Sequence, residues 1–583
     1  MSIIKLTGFS GEVPKLNARL LPQNASQNAF NTRLTGGDLR PIRRSRFHHF
    51  FPGVPAEGYK TIYKHGDDWL GWTGLVNAAP GPVASDRLYY TGDGVPKMLV
   101  SGTTYALAVP HPTGALTATL VGSPSSTDLS ESRLYVYTFV TAFGEESEPC
   151  PISNEVVWNP GQSVTLSGFA NPPAGRNITL QRIYRSQSST SGTQLYFIAE
   201  RAASNANFSD TVSPDAIGEP IPSLDWNAPP DGLQGLIPLP NGMMAAFMGK
   251  DLYFCEPWMP HAWPEKYVLT MDYEIVGLGA FDTTVVVTTK GNPYVVAGTA
   301  PENMQAQKLE FNLPCINPRG IQDLGYAIAY PSNDGLVLAS SGGTRVATEE
   351  LFSREDWQKL NPATMIAGQH DGRYFAAYAF ADRRNQEYRG SIILDLAGRE
   401  GFVTRTSIYP DAFFYDIGES RLYYLIGAEV YEWDAVGEVN EIQSWKSKPF
   451  ILPKPGNMGS ILIEARADLS DDEIAALEDL AEQIRLENAA IFALGDLGGE
   501  LNGAAVNVYP VNGDRLKAIP SVSQTCSVNV YADGKLVASV SRINRMARLP
   551  SGFKAQKWEV EITGDMVVDQ VLLAGAGAEL ANA

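Results

Sequence analysis

Cysteine is scarce in this chain. Four stand among 583 residues, at Cys150, Cys255, Cys315 and Cys526. None is spaced as a CxxC pair, so no zinc or thiol-redox site and no disulfide framework is indicated. They are expected to be reduced, buried thiols of a protein made in a cytoplasm. Charge is thin as well: Asp, Glu, Lys and Arg make up 19% of residues, against about 25% in ordinary globular domains. Basic charge is the scarcer sign, with 45 bases against 64 acids and a net charge of −19. A protein that reads nucleic-acid sequence needs a basic footprint, so that class is disfavoured. An acidic, solvated surface is the plain reading.

No apolar run approaches the roughly 18 residues that a membrane-spanning helix needs. The opening residues, MSIIKLTGFSGEVPKL, have neither the apolar core nor the cleavage site of a secretory signal. Catalytic signatures are missing too: there is no GxSxG, HExxH, P-loop or GxGxxG. The histidines are His48, His49, His65, His111, His261 and His370. His48 and His49 are adjacent, and on a strand they would face opposite ways, which is poor metal-site geometry. His261, in WMPHAWPEKY, sits among tryptophans and prolines and is expected to be a packed loop histidine rather than a general base. Acid pairs such as Asp67-Asp68, Glu145-Glu146 and Asp471-Asp472 are expected by chance in so acidic a chain. No catalytic, cofactor-binding or metal-binding residue is assigned, and no cofactor is expected.

What is abundant is turn and strand material. Gly and Pro number 54 and 39, Tyr and Phe 25 and 23, which favours many short strands joined by tight turns. Residues 1–45 suggest an N-terminal arm broken by Pro14, Pro22 and Pro41, with one short helix possible over 24–34. Arg40, Arg43, Arg44 and Arg46 follow; a solvated face or inter-subunit salt bridges are favoured over a DNA contact. Residues 46–112 show aromatic hairpins around His65-Gly66-Asp67-Asp68 and Gly92-Asp93-Gly94. Residues 113–222 carry short strands with polar turns and are expected to form an immunoglobulin-like or fibronectin-III-like sandwich. Its strand at 134–140 is apolar on both faces.

A proline-rich stretch, 219–242, leads into more hairpins to residue 445, turning at Gly249, Gly291, Gly335, Gly372 and Gly427. About half recur at a spacing near one propeller blade. Residues 46–112 and 223–445 are therefore read as two parts of one propeller-like domain, with a second sandwich or barrel as the alternative. Residues 446–583 form a β-rich C-terminal domain with one helix, 470–492. That helix has Ser470 as N-cap, a Ser470…Glu473 capping box, and Ile474, Leu477, Leu480, Ala481 and Ile484 as its apolar stripe.

Five sets of stretches stand out: 9–42 (FSGEVPKLNARLLPQNASQNAFNTRLTGGDLRPI), 135–156 with 178–186, 239–267 followed by 291–304, 332–343, and 530–565. Together they resemble the tail nozzle (tail tubular protein B-like) family of short-tailed bacteriophages. The resemblance implies a non-enzymatic virion protein, assembled in the host cytoplasm. Such subunits form a homo-oligomeric ring, often of six copies, around the DNA ejection channel. They sit beneath adaptor or portal-side tail proteins and carry docking sites for tail fibres or spikes. Genomic DNA passes through without sequence-specific binding, and no membrane span is implied. Rival readings are a baseplate or receptor-binding tail component, a glycan-degrading propeller enzyme, and a host adhesion protein with a fibronectin-type module.

Overall fold

The computed structural model describes residues 3–126, 129–189, 192–340, 342–381, 386–396, 401–467, 471–493, 517, 519 and 524–580. The chain is mainly β, built from many small, mostly antiparallel sheets and one ten-stranded sheet. It divides into two compact units, Pro55–Arg345 and Met1–Val54 with Val346–Ala583.

The unit Pro55–Arg345 contains consecutive four-stranded meanders. The first runs through Asn77–Pro80, Arg87–Thr91, Lys97–Val100 and Thr103–Ala106. The second uses Gln234–Pro238, Met244–Met248, Asp251–Phe254 and Leu269–Thr270. The third uses Ile275–Phe281, Thr284–Thr289, Tyr294–Ala297 and Gln305–Lys308. The fourth comprises Gln322–Asp323, Ile328–Pro331, Leu336–Ser340 and Gly343–Val346, and its last strand reaches the unit boundary. In each case the opening strand of one meander lies against the opening strand of the next. Glycine keeps the third meander's opening strand close to the fourth meander: a Cβ on Gly279 would meet the side chain of Ile328, in the fourth meander's second strand, at 2.7 Å. The turns follow residue chemistry, since Gly92, Gly94 and Gly249 hold φ of 99°, 77° and 62°, open to glycine without steric cost.

Between the first and second meanders two sheets face each other over one apolar core. One sheet holds Thr117–Val121, Ser163–Ser167 and Phe208–Asp210; the other holds Tyr135–Thr141, Ile178–Ser189 and Gly192–Ala202. Every residue of Tyr135–Thr141 is buried, as its two-sided apolar pattern required.

The second unit is organised by a ten-stranded sheet. It begins as a meander of Ile366–His370, Arg373–Ala381, Glu387–Asp395 and Phe402–Thr406. Ser26–Phe30 then pairs parallel with Phe402–Thr406 and antiparallel with Gln443–Ser447. Ala555–Gly564, Cys526–Ala532 and Lys535–Val540 continue the sheet, and Phe450–Gly456 also pairs with Ala555–Gly564. A further meander, Ala412–Asp416, Arg421–Ile426 and Glu429–Glu432, is completed at its edge by Arg46–Phe50 from the far N-terminal side.

Two expectations are corrected in this unit. Residues 1–45 are no free arm: Ile3–Leu6 pairs with Val567–Ala574, and Ser26–Phe30 is interior to the large sheet. The helix considered over 24–34 is replaced by strands Ser26–Phe30 and Thr32–Arg33. Its amides are used across the sheet: Gln27 Nε2 donates to Ser447 O at 2.6 Å and to Glu559 Oε1 at 2.8 Å. Strand pairing overrides local preference here, because Asn and Ser have little intrinsic hold on a helix.

The helix at Asp471–Ala493 is present, and it is the longest among the described residues. Leu477 and Ala481 are buried and Ile474 packs with Leu477 on Val439. Leu480 instead is exposed, so the buried stripe runs Ile474, Leu477, Ala481, Ile484 and Asn488, the spacing of one narrow face. The Ser470 cap lies outside the described residues. No described helix is long and apolar enough to cross a membrane.

Trp445 anchors the N-terminal segment: it is fully buried, its Nε1 donates to Ser10 O at 2.9 Å, and Phe9 meets it edge-on at 5.0 Å. Trp445→Ala is expected to cost about 3–5 kcal/mol, read as a lowered denaturation midpoint. An unchanged midpoint would show that Trp445 does not hold this segment.

Candidate functional site

The strongest polar constellation is the acid pair Glu145-Glu146, which sequence reasoning set aside. Both residues follow the Gly144 turn, φ 80°, at the end of the Tyr135–Thr141 strand. Both are buried, at 6% and 1% exposure. Ionised carboxylates are kept out of water at such positions only when paired and hydrogen-bonded. Glu146 Oε2 receives Arg182 Nη1 at 2.7 Å. Its Oε1 accepts from Thr138 Oγ1 at 2.8 Å, Tyr184 OH at 2.7 Å and Ser223 Oγ at 3.2 Å. Glu145 Oε2 accepts from Arg176 Nη2 at 2.7 Å and Thr141 Oγ1 at 3.1 Å. Arg176 also donates to Leu107 O and Ala108 O, at 3.3 and 3.2 Å, in the segment that leaves the first meander. Burial raises the Tyr184 hydroxyl pKa, and the neighbouring Glu146 charge raises it further.

His261 joins this cluster from the loop of the second meander. Its Nε2 lies 3.1 Å from Glu146 O, and Trp226 packs edge-on at 5.7 Å. Burial pushes its pKa below the ordinary histidine value, with Glu145 opposing and Arg176 assisting. It is the packed loop histidine expected. A second buried pairing lies inside the two-sheet insertion: Asp210 Oδ2 receives Arg185 Nη1 and Tyr135 OH, each at 2.8 Å. Arg133 stands 3.7 Å from that carboxylate and stacks on Trp158 at 3.6 Å. Most of these groups are paired with one another, and the Glu145 and Glu146 side chains are buried.

The remaining sequence candidates are dispersed. Arg40 pairs with Asp38 at 2.8 Å, Arg44 with Glu441 at 3.6 Å, and Arg46 with Glu438 at 3.1 Å. The Arg43 amide donates to Asp434 Oδ1 at 2.7 Å. The arginine segment thus meets acids within its own unit, where bridges between subunits were expected. On the strand Arg46–Phe50, His48 packs on Tyr423 and His49 on Phe51, at 4.9 and 4.8 Å. His370 lies among Phe375 and Tyr415, and burial lowers its pKa. His111 stands 3.7 Å from Glu148, and His65 Nε2 lies 3.4 Å from Asp86 O. No group of three metal-ligating side chains occurs among the described residues. All four cysteines are buried and free; burial raises Cys150 and Cys526 to about 11, and Cys255 and Cys315 to about 12.

A signal for the buried acids was present in the sequence. Arg182 and Tyr184 share one face of a strand, and Glu146 follows an all-apolar strand after one tight turn. A charge in such surroundings must find a partner.

No protein-family model matches the chain, and no curated protein matches it. Among solved structures, one similar chain is the crystal structure of the N-terminal domain of Nup159. It is 8% identical, covers 45% of this chain and 70% of its own length, and has a TM-score of 0.24. At that score the overlap carries no inference about fold or function.

Two outcomes follow from the buried cluster. Glu146→Gln is expected to destabilise by about 1–3 kcal/mol, because a buried charge-assisted hydrogen bond is lost while the part-exposed Arg182 keeps Glu200 at 2.8 Å; urea unfolding measures this, and an unchanged midpoint would place the pair with weak surface bridges. His261 binds a proton more readily when unfolded, so its contribution is full above pH 6.5 and is lost as pH falls below it. His261→Gln should flatten the fall of melting temperature with acidification in that window; an unaltered slope would remove His261 as the titrating group.

Proposed function

We propose that this chain is a structural, non-enzymatic subunit of a bacteriophage tail. Copies form an oligomeric nozzle or tail-tip ring around the DNA ejection channel and a docking platform for fibres or spikes. The reading places six copies in the ring, beneath adaptor or portal-side proteins, in a virion assembled in the host cytoplasm. The observation that carries it is the recurrence of four-stranded meanders, broken by a two-sheet insertion. That is the arrangement expected from the sequence likeness to tail nozzle proteins.

On this reading the meanders are blades of a propeller-like domain. Residues 113–222 are an immunoglobulin- or fibronectin-III-like module, and 446–583 a β-rich C-terminal domain. Charge supports the role: arginines that pair with local acids, in a chain of net charge −19, would not grip phosphates and slow a moving genome. Exposed aromatics support it as well. Phe47 and Phe50 stand exposed on the edge strand Arg46–Phe50, and Trp258 is exposed despite a φ of 65°. Exposed aromatics of this kind are enriched where proteins meet partners.

The test is the assembly state of the purified full chain, by light scattering and electron microscopy. Closed rings with an acidic central lumen are expected. A monomer at high concentration that degrades polysaccharide would replace this reading with the glycosidase one. A ring lined with uncompensated arginine and lysine would remove the sliding-channel argument.

A further inference from the structure

Five buried polar atoms belong to one group of neighbouring residues where the two-sheet insertion meets the meanders of its own unit, and none makes a hydrogen bond of good geometry within the protein. They are Arg87 Nε, Tyr89 OH, Glu145 Oε1, Arg176 Nη1 and His261 Nδ1. Tyr89, Arg176 and His261 are 0%, 3% and 2% exposed. The groups are neighbours: Arg87 Nη1 stands 3.9 Å from Glu145 Oε1, too far for a direct bond. Tyr89 lies within the fields of Arg87, Glu145 and Arg176, and His261 within those of Glu145 and Arg176. The Tyr89 hydroxyl sits beside the Arg87 guanidinium without well-formed hydrogen-bond geometry.

A single orphaned buried group costs on the order of 1–3 kcal/mol. Five among neighbouring residues demand a common partner. Its chemistry follows from what is unspent. The two arginine N–H groups only donate and the Glu145 oxygen only accepts; His261 Nε2 donates to Glu146 O, which leaves Nδ1 of the neutral ring as an acceptor, and the tyrosine hydroxyl can do either. A small anion would suit the arginines but would face the Glu145 carboxylate. A metal cation would suit Glu145 but would face two guanidiniums. Water both donates and accepts and carries no charge.

We propose that this is an internal hydration site: a small cluster of ordered water, bonded to Arg87, Tyr89, Glu145, Arg176 and His261. It forms part of the joint between the insertion and the first two meanders. The joint is thus polar and directional, with water completing the bonds that the side chains cannot make to one another. This inference does not rest on the tail-protein reading.

An experimental structure at a resolution that shows bound water tests it directly, with chloride replaced by bromide. Density within about 2.7–3.2 Å of at least three of the five atoms, without bromide anomalous signal, is the expected result. Side chains that bond directly with no density between them would overturn the proposal, and so would a bromide peak. Tyr89→Phe keeps the shape and removes one partner, and should lower the melting temperature by roughly 2–4 °C. Combined with His261→Leu, the loss should be less than the sum of the two single losses, because both remove partners of one connected water cluster. Strict additivity would overturn the shared site.

Discussion

Burying charge is the constraint on which the insertion depends. Glu146 gives up its hydration to sit under packed sheets, and four donors replace that water. Glu145, one residue earlier, does the same with Arg176. The two carboxylates, on successive residues just beyond the strand, serve different partners. One ties the strands of the insertion together; the other, through Arg176, reaches the backbone that leaves the first meander. Breaking either leaves a buried group short of a partner, which costs more than losing an exposed bridge. The placement of the insertion is therefore specified by charge pairing as well as by its apolar core.

A comparable logic governs the other unit. Glu12 is buried and accepts from Arg405 Nε at 2.8 Å and from the Ala29 amide at 3.1 Å. The Ser26–Phe30 strand beside it links the meander ending at Phe402–Thr406 to the strands from 443 onward. A segment from the start of the chain thus completes a sheet made by its latter half. Arg46–Phe50 repeats the device by closing the meander at Glu429–Glu432. Contacts of such long sequence separation fold late and slowly, since loop closure precedes their reward. They also leave the N-terminal segment held by many bonds to the latter half of the chain.

The tail-protein proposal draws on these features without needing a reactive centre. Strongly perturbed groups such as Tyr184, His261 and the four thiols owe their shifts to burial first. Perturbed groups often mark active sites. Here those in the insertion are consumed by internal pairing, and that pairing gives them a structural task.

Periodicity and turn chemistry determined much of this protein from sequence alone. Alternating Tyr, Phe and Val made strands, glycines with neighbouring Asp and Asn made hairpins, and the stripe at 474–484 made a helix, since these depend on residues a few positions apart. The all-buried strand at 135–141 was legible because both its faces are apolar. Tertiary structure alone decided the fate of residues 24–34, whose Asn and Gln amides found acceptors more than 400 positions away. It also decided that Leu480 faces outward, and that Glu145-Glu146 is a buried hub and no accident of composition. Each depends on what another part of the chain presents, and local pattern holds no record of that.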